Sequence, residues 1–199
     1  MASESPACAA AGRAAGAVGE QPSFRSAALG SLPGLFVFDL DACLWSPEMF
    51  ELRGQPERRG AQPTEVITSA GETIRLFPGA LEALELILAD PRLSAVPWAA
   101  ASSTTEPSAA EFCLRTMTVG GRTLADLMPN RVVGPRAGGK ATHFKQLREM
   151  SGVAYSEMLF FDDCIYSDNC GQVANACPGV VACRVPSGLS VDKLWRALE

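Results

Sequence analysis

The sequence predicts an α/β domain built on a central parallel sheet, and three observations carry that expectation. The apolar run Leu35–Phe38 leads directly into two carboxylates, Asp39 and Asp41. A second apolar run, Glu157–Phe161, stops on another pair, Asp162 and Asp163. Segments of helical period alternate with these and with further strand-like runs, as in an α/β chain. Short continuous apolar runs read as strands buried on both faces. Acids do not belong inside such strands, so they mark the C-terminal edge, where ligands bind in open α/β sheets.

Composition narrows the possibilities. The chain has 199 residues, 47% of them hydrophobic and 20% charged, which suits one globular domain plus a tail. A net charge of −5 supplies no basic footprint for nucleic acid. No apolar stretch reaches the length of a membrane span. Seven cysteines with no secretory apolar segment before them imply reduced thiols in an intracellular, most simply cytoplasmic, setting. Cys164, Cys170, Cys177 and Cys183 lie close together but lack the CxxC pairs of a zinc site. The single histidine, His143, excludes any mechanism that needs two.

Residues 1–32 are rich in Ala, Gly and Ser without apolar period, and read as a disordered tail before a domain at 33–199. The alternative is a cleavable organellar transit peptide, against which Glu4 and Glu20 count. In the opening strand, Asp39 and Asp41 point to the same side if the extended conformation persists, with Leu40 packing away. Two carboxylates so close repel unless a proton or cation lies between them, and a hard divalent ion such as Mg²⁺ relieves that. An isolated Asp-x-Asp is as readily a solvated strand end, so the case depends on the rest of the chain.

Residues 46–76 form a polar insertion, with Glu65–Ser69 and Thr73–Phe77 as a small β-hairpin. Placed directly after the first strand, it is expected to lie over the site as a flap, its charged middle (Arg53, Arg58, Arg59) available to an anion. Pro78 then opens a helix with Leu81, Leu84 and Leu88 on one face. Val96–Ala101 is the second strand and ends in Ser102-Ser103-Thr104-Thr105. Glu106-Pro107 begins another helix, so the hydroxyls gather at a strand end and a helix start, where anions bind. Thr105 alone is alternatively a plain N-cap. Asn130–Gly134 is a short strand. A Gly-rich loop with Lys140 follows and leads into a helix through about Ser151. Lys140 is either a phosphate-binding charge or a solvated lysine. If the strands ending on acids are neighbours, four carboxylates converge at one sheet edge, and a metal is then close to required. Gly179–Val185 is the last strand. Val191, Leu194, Trp195 and Leu198 form a final helix capped by Ser190.

Four motifs, in order, resemble the haloacid dehalogenase superfamily. They are Phe-Asp-Leu-Asp-x-x-Leu-Trp, Ala-Ala-Ala-Ser, Gly-Gly-Lys-Ala-Thr-His-Phe and Phe-Phe-Asp-Asp, and more narrowly they look like the magnesium-dependent phosphatase 1 family. The resemblance implies a Rossmann-like three-layer sandwich with a minimal flap and no large cap. It implies phosphomonoester hydrolysis with Asp39 as nucleophile, forming an aspartyl-phosphate, and Asp41 as general acid and base. It implies Mg²⁺ held by Asp39, the backbone carbonyl of Asp41 and Asp163, with Asp162 a ligand through water or an orienting neighbour. Ser102 matches the phosphate-binding hydroxyl and Lys140 the cation that neutralises the transferring group. The substrate implied is a phosphorylated small molecule or phosphoprotein, phosphotyrosine-like or a sugar phosphate. Two positions depart from the pattern: Cys43 stands where Thr or Val is usual, and Ser103 where Arg often follows the phosphate-binding Ser. They favour a rival of another class, a catalytically weak binding or regulatory domain of the same fold, while the rival within the same chemistry is a capless protein serine phosphatase. A nucleotide-binding Rossmann protein is disfavoured because no GxGxxG follows the first strand.

Overall fold

The alternation of side chains along the first strand divides the domain into layers. In β1 (Leu35–Phe38), Phe36 and Phe38 enter one core, while Leu35 and Val37 enter another on the opposite face. The structure, a computed structural model, describes residues 32–199, so the tail expected at 1–32 lies outside the described residues but for Leu32. After β1 come β2 (Trp45–Ser46), β3 (Pro56–Arg59), β4 (Glu65–Thr68), β5 (Thr73–Leu76) and α1 (Pro78–Ala89). Next are β6 (Trp98–Ser102), α2 (Pro107–Thr116), β7 (Thr118–Val119), β8 (Arg122–Thr123) and α3 (Leu124–Leu127). The chain closes with β9 (Asn130–Val133), α4 (Gly139–Ser151), β10 (Met158–Asp162), α5 (Asn169–Ala176), β11 (Val181–Arg184) and α6 (Val191–Leu198).

The main sheet is parallel, in the order β11-β10-β1-β6-β9. Helices α1, α2 and α6 contribute to the core containing Phe36 and Phe38, and α4 and α5 to the core on the other face. This is the three-layer α/β sandwich read from the sequence. Among the described residues no helix is long and apolar enough to cross a membrane.

Local chemistry explains most boundaries. Pro78 and Pro107 each occupy a first helical turn, where a missing N–H costs nothing. The α1 surface that is fully buried is Ala80, Ala83, Leu84 and Ile87, so the buried stripe is centred one residue away from the expected leucines and shares only Leu84 with them. Leu81 and Leu88 pack at its margin, only partly buried. Ser190 caps α6, its Oγ accepting from Lys193 N at 3.4 Å. Helix α5 was not legible in advance. It is short and includes Gly171, and its start is set by Asp168, whose carboxylate accepts from Gly171 N at 2.8 Å.

The insertion is larger than a hairpin. The β4–β5 pair sits inside a four-stranded antiparallel sheet ordered β2-β5-β4-β3. Its apolar face, with Val66, Ile74 and Leu76, joins the main core. Strands β3 and β4 pack against α2. The flap arginines therefore do not meet the cleft: Arg58 and Arg59 lie exposed on β3, the edge of this sheet farthest from β2 and the acid-bearing loop. The part that reaches the cleft is a 3-10 turn at Met49–Glu51.

Candidate active site

Sheet order brings the two acid pairs together. β1 pairs with β10 in parallel, Phe38 opposite Phe161, so Asp39 and Asp162 leave neighbouring strands at the same edge. Asp39 N donates to Phe161 O at 2.9 Å. Both strands then turn sharply in the same manner. Ala42 (φ 55°) follows Asp41 and Cys164 (φ 52°) follows Asp163, and they are the only non-glycine residues with positive φ among the described residues. Such a conformation costs a residue with a Cβ roughly 1 kcal/mol, and sites tolerate it where the turn re-aims side chains. After Asp162 the turn returns N–H groups to the acids: Cys164 N donates to Asp162 Oδ1 and Ile165 N to Asp163 Oδ2, both at 2.8 Å. Cys43 lies in the first turn, buried, with its thiol 3.6 Å from Phe161 O. It is a weak tie where a hydroxyl is usual.

Lys140, in the first turn of α4, is 1% exposed, which excludes the solvated reading. Its ammonium meets Ala101 O at 2.6 Å, Asp39 Oδ1 at 2.7 Å and Asp162 Oδ2 at 3.0 Å. Three donors and three oxygens leave none of its protons unused. Asp162 is fully buried, and Asn169 Nδ2 also donates to both its oxygens, at 3.0 and 3.1 Å. Asp163 instead opens onto the cleft with Asp39 and Asp41. The Asp41 carboxylate accepts from Trp45 Nε1 at 2.7 Å.

Carboxylate oxygens of Asp39, Asp162 and Asp163 lie within 4.8 Å of one another. The four expected carboxylates thus resolve into three in one group, with Asp41 beside them and turned toward Trp45. One ammonium among three carboxylates leaves excess negative charge in a poorly solvated place, and an all-oxygen donor set suits a hard divalent cation. The residues fit such an ion.

The electrostatics follow from burial. Burial pushes the Asp39 carboxyl well up, against the pull of Lys140. Burial raises Asp41 too, more than its hydrogen bond from Trp45 lowers it. Asp162 would also rise on burial, but the Lys140 charge and the bonds from Asn169, Lys140 and Cys164 hold it below the usual carboxylate range. Lys140 stays charged, because Asp39 and Asp162 outweigh its burial.

The cleft holds about 640 Å³. Ser102, Ser103, Thr104 and Thr105 line one wall. Ser102 Oγ accepts from Thr104 N at 3.3 Å. Thr105 is not the cap of α2; Glu106 occupies that position, and Thr104 Oγ1 accepts its N–H at 3.3 Å.

Sequence reasoning missed the structural part played by His143. Its Nε2 lies 2.9 Å from Gly134 O and 3.1 Å from Ser102 O, and its Nδ1 lies 3.0 Å from Gly139 O. Burial lowers its pKa, and both ring nitrogens face backbone carbonyls, which accept only from an N–H, Nε2 serving Gly134 O and Ser102 O and Nδ1 serving Gly139 O. The imidazole thus ties the end of β6 to the loop before α4. His143→Ala is expected to cost about 2 kcal/mol by stripping Gly134 O of its donor, read as a melting temperature lower by about 4–8 °C for a domain this size. An unchanged melting temperature would mean that the tie contributes nothing. The signal available in sequence was position alone, one helical turn beyond Lys140.

Comparison with known proteins assigns the family. The Acid Phosphatase family matches residues 31–199. The chain belongs to the acid phosphatase family. Magnesium-dependent phosphatase 1 of Homo sapiens is 32% identical over 168 residues, which cover 84% of this chain and 86% of that protein. Among solved structures, the N-terminal part of a Bacteroides fragilis protein, containing a phosphatase domain and complexed with Mg, is similar at 17% identity and a TM-score of 0.59. That match covers 85% of this chain, which spans only 41% of the other. A mutant of CbbY from Rhodobacter sphaeroides, in complex with xylulose-(1,5)bisphosphate, matches at 12% identity and a TM-score of 0.50. Its match covers 76% of this chain and 85% of the other. At such identities the two structures speak to the fold alone. The acid phosphatase family assignment agrees with the order of motifs in the sequence, and it makes the cleft at the β1–β10 edge the place to look for chemistry.

Proposed function

We propose that this acid phosphatase family member is a magnesium-dependent phosphomonoester hydrolase that works through an aspartyl-phosphate on Asp39. The observation that carries the reading is the Lys140 cradle: a saturated, buried ammonium holds Asp39 Oδ1 at 2.7 Å, and Asp39 lines the cleft. Asp39 attacks phosphorus in line, and the P–O bond to the leaving group breaks. Asp41, its pKa raised by burial, delivers a proton to the leaving oxygen. It then takes a proton from the water that hydrolyses the acyl phosphate, which regenerates Asp39 and releases inorganic phosphate. Ser102 and the neighbouring hydroxyls hold the phosphoryl oxygens. Asp39, Asp163 and the Asp41 carbonyl would hold Mg²⁺, while Asp162 orients Lys140 and the turn. Mg²⁺ supplies charge neutralisation at the phosphoryl oxygens. Substrates are phosphorylated small molecules or phosphoproteins, with phosphotyrosine and sugar phosphates both compatible with a site that no large cap covers.

Hydrolysis of para-nitrophenyl phosphate tests the reading. Turnover is expected with Mg²⁺, lost in EDTA and restored by added Mg²⁺. Mg²⁺ is also expected to raise the melting temperature, because it binds the folded state alone and relieves repulsion among three carboxylates. Full activity in excess chelator would overturn the metal assignment. A folded protein that binds Mg²⁺ yet turns nothing over would favour the binding-domain rival.

A further inference from the structure

The rim of the cleft has a composition that the phosphoryl chemistry leaves unexplained. Six large apolar side chains are exposed among the described residues, and three of them line this one cleft: Phe50 (57% exposed), Ile165 (50%) and Tyr166 (72%). Single exposed apolar residues need no account, but their gathering at one opening does. The three come from two separate segments. Phe50 stands on the 3-10 turn of the insertion, and Ile165 and Tyr166 follow the late acid pair. The rings of Phe50 and Tyr166 meet edge to face, with centroids 6.0 Å apart at 75°. Tyr166 Oη donates to Glu48 Oε1 at 3.1 Å, so the pair is aligned across the opening. The cleft volume of about 640 Å³ is in the range of small-molecule sites and well beyond a phosphoryl group alone.

Charge narrows the occupant. Lys140 is the sole cation among the residues lining the cleft, and its three donors are spent on Ala101, Asp39 and Asp162. Beyond the catalytic acids, the one charged side chain at the rim is Glu48. A second phosphate or a carboxylate on the substrate would meet that carboxylate without a positive partner.

We infer that Phe50, Ile165 and Tyr166 form the leaving-group subsite and determine specificity, taking phosphate esters whose leaving group offers a flat apolar face and no second anionic group. This rests on the phosphatase reading above. The rings supply contact area at small entropic cost, since each has only two side-chain torsions to restrict. Ser103 and Thr105 line the same cleft and can hydrogen-bond polar atoms at the edge of the same group.

The test is steady-state kinetics in Mg²⁺ with 2-naphthyl phosphate, glycerol phosphate and fructose 1,6-bisphosphate. Reading each variant as a ratio between esters cancels the different intrinsic reactivity of the leaving groups. For Phe50→Ala and Tyr166→Ala, the ratio of kcat/KM for naphthyl over glycerol phosphate is expected to fall about tenfold, mostly through KM. Tyr166→Phe keeps the ring and loses only the tie to Glu48, so its ratio should stay within about twofold of wild type. Glu48→Lys should raise kcat/KM for the bisphosphate relative to glycerol phosphate by about tenfold. Equal losses on naphthyl and glycerol phosphate would show that the rim only supports the fold of the site, and overturn the subsite. An unchanged ratio would overturn it as well. If folded wild-type protein hydrolyses none of the three esters, the phosphatase reading fails and the subsite with it. Turnover with an unchanged ratio removes the subsite alone.

Discussion

Asp39→Asn is expected to lower phosphatase turnover by on the order of 10⁴-fold or more, the scale of deleting a covalent nucleophile. The change is close to isosteric, so packing at the end of β1 is kept. The Asn carbonyl can still accept from Lys140, and the backbone bond from residue 39 to Phe161 O is untouched. Burial already disfavours the ionised Asp39, and removing its charge also eases its repulsion with Asp162. The variant should therefore melt in chelator at the wild-type temperature or above, while failing to form an acid-stable phosphoenzyme that is cleaved by hydroxylamine. Rapid-quench trapping of phosphorylated protein, beside circular dichroism melts, separates the two effects. Wild-type turnover by a folded Asp39→Asn protein would remove Asp39 from the reaction. Loss of activity together with a large drop in melting temperature would instead assign it a structural role.

Lys140→Met is expected to damage both stability and activity. Met fills similar length but leaves the buried carboxylates of Asp39 and Asp162 with no cation and Ala101 O with no donor. Breaking a buried ion pair from one side costs about 3–5 kcal/mol, or roughly 6–20 °C in melting temperature at this size. The sign of its pH dependence follows from the carboxylates. With Lys140 present, Asp162 is held below the usual range. The stability this contributes is present above the unfolded carboxylate pKa, and it is lost as pH falls through the lower folded value. Without Lys140, Asp162 rises above its unfolded value and Asp39, already raised in the wild type, rises further, so the folded variant takes up protons that the unfolded state does not. The variant thus gains stability as pH falls from 8 toward 5, and its deficit against wild type narrows over that window. Calorimetric melts in EDTA across those pH values measure it. A deficit that stays constant with pH would mean that the loss comes from packing rather than from uncompensated charge. Activity should be lost at every pH, because the ammonium that orients Asp39 is gone.

Both predictions concern residues that stood out in the sequence, and the reason is physical. A strand that stops on paired acids is costly unless chemistry requires it, so Asp39, Asp41, Asp162 and Asp163 announce themselves without a structure. The parallel sheet and its helices follow from apolar runs, prolines at helix starts and the Ser190 cap, all of which act within a few residues. Lys140 was ambiguous for the opposite reason. Nothing within a turn of it reveals that it is buried; its partners are 39 residues away at Ala101 and on two other strands. His143 is similar, since Ser102 O is 41 residues distant. Helix α5 escaped because its cap is a single side-chain bond and its apolar period is short.

The flap shows the limit most clearly. Its hairpin was readable from alternation and a turn, but strand order in the small sheet was not. That order puts Arg58 and Arg59 on the far edge and brings Glu48 and Phe50 to the cleft instead. Sequence alone determined the fold class, and it pointed to the sheet edge and the acids proposed for the chemistry, because each rests on local period and on the high cost of burying charge. The lysine's partners, the separation of Asp162 from the open cleft and the aromatic rim were settled by packing between distant segments, where no local propensity records which neighbour a side chain will meet.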